Sequence, residues 1–216
     1  MLPDITIDGI SMAGLGWLRE SIDFPTPSPQ METITVPGRN SPIRYTEALG
    51  RVSFEPRSFT VVLSMLGTRE RFNRMSEEVA NRFLGQLVPV TLSEEPELYA
   101  YGTLEIETGF DPKTGTGQVT LSCSDGDSYR YYVEETVVSQ SGNAVVTLGN
   151  DYMPVVPKIT TTAEATLSWK VGTDAFEKTV SAGTWEIPEL ELAQGENTVT
   201  VKSKGDTTFT YREGRL

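Results

Sequence analysis

Apolar residues that alternate one for one with polar ones recur along this 216-residue chain, and that period of two constrains it to a mainly β fold. In Ser58–Met65, Phe59, Val61, Leu63 and Met65 fall on one face and Thr60, Val62 and Ser64 on the other. That is the pattern of a mostly buried strand. Val119, Leu121 and Cys123 alternate in the same way with Gln118, Thr120, Ser122 and Ser124, which puts Cys123 on an apolar face. Between Leu104–Ile106 and this strand lies GFDPKTGTG, a turn-rich link that predicts an antiparallel hairpin with a long, exposed loop. One segment keeps a different period. Phe72, Met75, Val79, Phe83 and Leu87 recur at helical spacing and predict a helix near 69–86, with Thr68 as its N-cap and Gly85 weakening its last turn. The apolar stripe of that helix is expected to lie on the sheet.

After Val138 the chain runs SQSGNA, a small polar stretch that predicts a boundary between domains at 1–138 and 139–216. A second set of strands follows. Leu167, Trp169 and Val171 share a face, Val199 and Val201 repeat the pattern, and Phe209 and Tyr211 close it. Gly172, Gly183, Gly195 and Gly205 punctuate them at turn-like spacing, as in a β-sandwich or jelly roll.

The chemistry-bearing residues are sparse. There is no histidine, which removes Ser-His-Asp and Cys-His catalysis, imidazole ligation of metals and the commonest general base. A single cysteine, Cys123, rules out a thiolate zinc cluster or an intramolecular disulfide and fits a reducing compartment. Its place among alternating core residues reads as a buried structural thiol. The acidic runs Glu94, Glu95, Glu97 and Glu134, Glu135 offer paired carboxylates, but they sit among turn residues with no apolar pocket in view. Ser124–Ser128 lacks the downstream Glu of a calcium loop, and Gly115-Thr116-Gly117 leads into a strand, where no helix N-terminus would hold phosphate. No catalytic residue, cofactor site or metal site is expected. The opening stretch reads as neither a signal nor a transit peptide, and no segment is apolar enough for a membrane helix.

The net charge is -12, so sequence-specific nucleic-acid binding is not expected. The distribution is uneven. Residues 1–138 carry ten Arg and one Lys, whereas 139–216 carry two Arg and five Lys. Arginine suits interfaces because its planar fork pairs with carboxylates, although ordinary surface usage would give the same count. In the second domain, exposed aromatics could stack on a glycan. Trp169, Trp185, Phe176 and Tyr152 are the candidates; Trp169 is in phase with core residues, which leaves Trp185 and Tyr152 as the candidate stacking residues.

From Met31 the chain reads METITVPGRNSPIRYTEALG, preceded by IDGISMAGLGWLRESIDFPTPSPQ. In order and spacing these segments resemble the distal tail proteins of long-tailed bacteriophages, with Val36–Asn40 as the VPGR(N/D) turn and Thr46–Gly50 as TEALG. The resemblance continues in FTVVLSMLGTRERFNRMSEEVANRFLGQ and LELAQGENTVTVKSKGDTTFTYREGRL and covers most of the chain. It implies an N-terminal β-barrel-like domain with one packed helix, followed by a galectin-like or jelly-roll sandwich. It implies a non-enzymatic ring of six copies that joins the tail tube to the tail tip or baseplate hub and lets DNA through. The implied partners are the tube, hub and tape measure proteins, in a virion assembled in the bacterial cytoplasm. Rings of one chain need interfaces that close on themselves. Arg39, just after the Pro37-Gly38 turn, with Arg44, Arg51 and Arg57, is the expected basic side of those contacts. The alternative is a carbohydrate- or receptor-binding sandwich module.

Overall fold

The structure, a computed structural model, describes residues 3–45 and 51–216 and divides into two units, residues 1–130 with Leu216 and residues 131–215. In the first, β1 (Ile5–Ile7) turns into β2 (Ile10–Ser11) through Asp8-Gly9, both at positive φ (48° and 75°), as a two-residue hairpin turn requires. β3 (Leu18–Asp23) follows, then a short hairpin of β4 (Glu32–Ile34) and β5 (Ile43–Tyr45). The long strand β6 (Arg57–Leu66) precedes the helix α1 (Arg69–Phe83). After α1 come β7 (Leu87–Leu92), β8 (Leu98–Thr103), β9 (Glu105–Asp111) and β10 (Thr116–Gly126), and β11 (Arg130–Tyr132) begins at the last residue of the 1–130 run.

Two sheets enclose one core. Strands β2-β1-β7-β8 run side by side in one, and β3-β6-β10-β9 form the other. Their inward residues, among them Ile5, Ile7 and Val90 facing Phe59, Val61, Leu63 and Leu121, pack with Phe72, Val79 and Phe83 of α1. This is the barrel-like unit with one packed helix that the resemblance implies. Thr68 caps α1, its hydroxyl accepting from the Arg71 N–H at 3.3 Å. The helix stops at Phe83, before Gly85, which takes φ 68°. Leu87, the last residue of the helical period, therefore belongs to β7 and is 66% exposed. The expected long loop between β9 and β10 is also shorter than predicted. Pairing continues to Asp111 and Thr116, so most of GFDPKTGTG is strand.

The second unit contains β12 (Thr136–Ser141), β13 (Ala144–Asn150), β14 (Lys158–Thr161), β15 (Ala165–Val171) and β16 (Asp174–Val180). β17 (Gly183–Glu186), β18 (Gly195–Ser203), β19 (Asp206–Tyr211) and β20 (Gly214–Arg215) complete it. Sheets β12-β19-β14-β17 and β13-β18-β15-β16 face each other over Ile159 and Phe209 on one side and Leu148, Leu167, Trp169 and Val201 on the other. SQSGNA is not a linker: Ser139–Ser141 end β12, Ala144 opens β13, and Gly142-Asn143 turn between them, with Gly142 at φ 72° and its N–H on the Gly205 carbonyl. The division falls at 130/131 because β12 pairs along its whole length with β19.

Close approach marks two interior glycines. A Cβ on Gly117 would lie 2.2 Å from a ring carbon of Phe72, and one on Gly102 would lie 2.2 Å from the Cys123 sulfur. Gly117→Ala is therefore expected to destabilise the first unit by about 1–3 kcal/mol, the cost of overpacking a filled core. Urea unfolding followed by tryptophan fluorescence measures it.

Candidate functional site

Sheet β3-β6-β10-β9 buries one face and leaves the other half-exposed, because alternate residues of a strand point to opposite sides. The registers fix the outward rows. Asp23, Thr60, Ser122 and Glu105 lie side by side across the four strands, and Ser21, Val62, Thr120 and Glu107 make the next row. Leu18, Ser64, Gln118 and Gly109 follow, then Leu66, Thr116 and Asp111. Glu20, at the β3 bulge, accepts a hydrogen bond from Gln118 at 3.0 Å. Hydroxyls occupy the middle of this face and carboxylates its two edge strands. Among the described residues, no Lys or Arg occupies an outward row. The alternation of Glu105 and Glu107 about Ile106 was the signal for it, and the sequence reading passed over it.

The second feature is the β4–β5 hairpin, paired with no other sheet among the described residues. Met31 is 59% and Ile34 50% exposed. At its tip the Arg39 N–H donates to the Val36 carbonyl at 3.1 Å, with Gly38 at φ 83°. This is the Pro-Gly turn expected from the sequence. Arg39 is exposed beyond it, and Arg44 stands opposite Thr33 in the same hairpin. The expected motif at Thr46–Gly50 lies outside the described residues.

Arg51 is exposed, but Arg57 is 2% exposed and does not face a neighbour. Its guanidinium donates to the carbonyls of Pro25 at 2.7 Å and Ser128 at 3.0 Å and lies over the Phe24 ring. Burial, then the nearby Arg130, pushes its pKa down to about 10. Arg57 is thus an internal clasp, and the expectation that it contacts another subunit is corrected by its burial. The loop it holds leads into the hairpin, and that loop is tied further by Gln30 N–H to Ser53 and Glu55 N–H to Ser28.

Several other titratable groups are held in structural bonds. Glu94 pairs with Arg19, Glu95 with Arg130, and Glu135 with Arg212 at 3.1 Å. The Cys123 thiol is buried and donates to Asp125 at 3.4 Å; burial pushes its pKa up to about 11. Among the described residues no three His, Cys, Asp or Glu side chains converge as a metal site would require. No helix among them is long and apolar enough to cross a membrane. In the second unit Trp169 is buried, Trp185 is 41% exposed on β17 and Tyr152 is 38% exposed. The Trp185 N–H is committed to the Ser181 carbonyl at 2.9 Å.

No family model and no curated protein matches the chain. Among solved structures it is similar to SPP1 Dit (gp 19.1), described as a paradigm of the hub adsorption apparatus in phages infecting Gram-positive bacteria. The TM-score is 0.74 at 20% identity, over 100% of both chains. The two-unit fold is therefore that of SPP1 Dit along its whole length.

Arg57→Lys cannot bridge both carbonyls and is expected to cost about 1–3 kcal/mol in urea unfolding, the penalty for an unmet buried acceptor. Cys123 is expected to resist a disulfide reagent at pH 8 in the folded chain and to react once the chain is denatured. Because its pKa rises from 9.0 to about 11 on folding, its stabilising contribution is complete below pH 9 and lost as the pH climbs towards 11. Denaturant midpoints across that window, compared with Cys123→Ala, measure the loss.

Proposed function

We propose that this chain is a structural protein of a phage tail tip: the subunit of a ring, of six copies, that joins the tail tube to the hub or baseplate. The observation that carries the reading is the outward face of sheet β3-β6-β10-β9. It is open and hydroxylated, and its charged outward positions are carboxylates alone. A wall of that chemistry carries no cation to hold phosphate, and its carboxylates repel the DNA backbone as it passes. The fold shared with SPP1 Dit supports the same role, as does the absence of histidine together with the buried, high-pKa cysteine. The tube, hub and tape measure proteins are its partners, and it resides in the virion after assembly in the host cytoplasm.

The bulge in β3 and the carboxylates on both edge strands discourage unplanned edge-to-edge pairing. Closing a ring therefore calls on another element, and the hairpin fits. A lone two-stranded hairpin is marginal in water, and this one exposes Met31 and Ile34 beside Arg39. A neighbouring subunit would cover its apolar residues and offer carboxylates to Arg39 and Arg44.

Light scattering and electron microscopy, on the chain alone and with its tube protein, test the ring. The 23.8 kDa chain is expected to assemble into closed rings. Arg39→Glu with Arg44→Glu is expected to give a folded monomer; rings formed by that variant would remove these residues from the interface. Glu105→Lys with Glu107→Lys is expected to leave rings that retain DNA in a gel-shift at low salt, where the parent ring retains none.

A further inference from the structure

Fifteen consecutive residues, Thr136–Asn150, carry no charge, the longest such run in the chain. They form β12, the Gly142-Asn143 turn and β13, and these two strands are edges of the two facing sheets. β13 pairs with β18 from Ala144 to Asn150 and, among the described residues, with no strand on its other side. Alternate residues of such a strand turn their N–H and C=O groups off the sheet, where they template another strand. Among the described residues, side-chain donors reach two of its carbonyls: Asn197 meets Leu148 at 3.3 Å and Tyr211 meets Gly149 at 2.6 Å.

The other long edges are defended. β9 carries Glu105, Glu107 and Asp111, β16 carries Asp174, Glu177 and Lys178, and β3 is bulged. A charge beside an arriving strand would be stripped of water without a counter-ion, and a bulge breaks the ladder, so each device blocks pairing. β13 has neither: it holds no charged residue and no proline, and its register is unbroken. Its outward residues are Val145, 67% exposed, Thr147 and Gly149, while Val146 and Leu148 point to the core. β12 is shorter and follows directly on Glu134-Glu135, which leaves β13 the better template.

We propose that β13 takes up an extended, uncharged segment of another protein as a fifth strand of sheet β13-β18-β15-β16. Main-chain bonds give the affinity and side chains select the segment. The position beside Val145 takes a β-branched or aromatic residue, which covers the exposed valine across the pair. Beside Thr147 a hydroxyl fits, as Thr166 and Thr179 bond at 2.8 Å across two strands of the same sheet. Seven residues span the edge, and a charge among them would lose its water unpaired. A second copy of this chain is the poorer occupant, because residues 131–215 hold twelve Asp and Glu against seven Lys and Arg, and two such units repel. The proposal does not rest on the ring reading, since every residue in it belongs to the second unit.

The full chain is mixed with capped, fluorescein-labelled heptapeptides that alternate threonine with valine or isoleucine, and anisotropy reads binding. Saturable binding is expected. Methylating one alternate set of the peptide's backbone nitrogens is expected to abolish it and methylating the other set to spare it, the signature of pairing along a single edge. Val145→Lys and Thr147→Lys are each expected to weaken binding about tenfold, and Val137→Lys, the same kind of change on β12, to leave it unchanged. All three alter exposed side chains, and thermal unfolding verifies that the variants stay folded. No binding by any of the peptides overturns the proposal. So does binding that survives both methylation patterns or both β13 substitutions, or that Val137→Lys abolishes. Dimers of the chain alone that Val145→Lys dissolves would put a second copy on the edge and overturn it too.

Discussion

The antiparallel ladder between β6 and β10 is the interaction on which the first unit depends. It runs from Arg57 to Leu66 and sends Val61, Leu63, Val119 and Leu121 to the core while Thr60, Val62, Ser122 and Thr120 stay outside. A slip of one residue would exchange the two sets, putting hydroxyls under α1 and branched apolar side chains in solvent. The core therefore holds the register, and the register in turn sets which residues form the open face. The chemistry of that face is a by-product of packing on the other side.

The elements were legible where period and burial agree. β6 and β10 were read correctly because one side of each is wholly buried, and α1 because its stripe faces a core. The boundary was misread because SQSGNA has the composition of a linker, and a hairpin turn has the same one. Only the pairing of β12 with β19, whose partners lie 65 to 75 residues away, distinguishes them. Leu87 fitted the helical period by coincidence of spacing, since a strand also begins on an apolar residue. For the candidate site, the Pro37-Gly38 turn was legible from local chemistry. The outward face of sheet β3-β6-β10-β9 was not, because β3 joins β6 by non-local pairing and only the register decides which residues share a row.

The arginine-rich first domain divides into two populations that composition cannot separate. Arg19, Arg57 and Arg130 point inward and hold carbonyls or carboxylates. Arg39 and Arg51 are exposed. With Arg57 enclosed against carbonyls and Arg19 and Arg130 each tied to a carboxylate, fewer arginines are left to meet a partner than the count implies.

The contact between Gly117 and Phe72 has a consequence for descent. The ring occupies the space a side chain at 117 would need, so the two positions behave as one heritable unit. A lineage that enlarges residue 117 must first, or at once, shrink residue 72, and an intermediate with both large is unfit. Divergent relatives sharing this fold should therefore carry the pair in matched states, glycine with a broad aromatic or a larger residue with a trimmed one, even where little else of the sequence is shared.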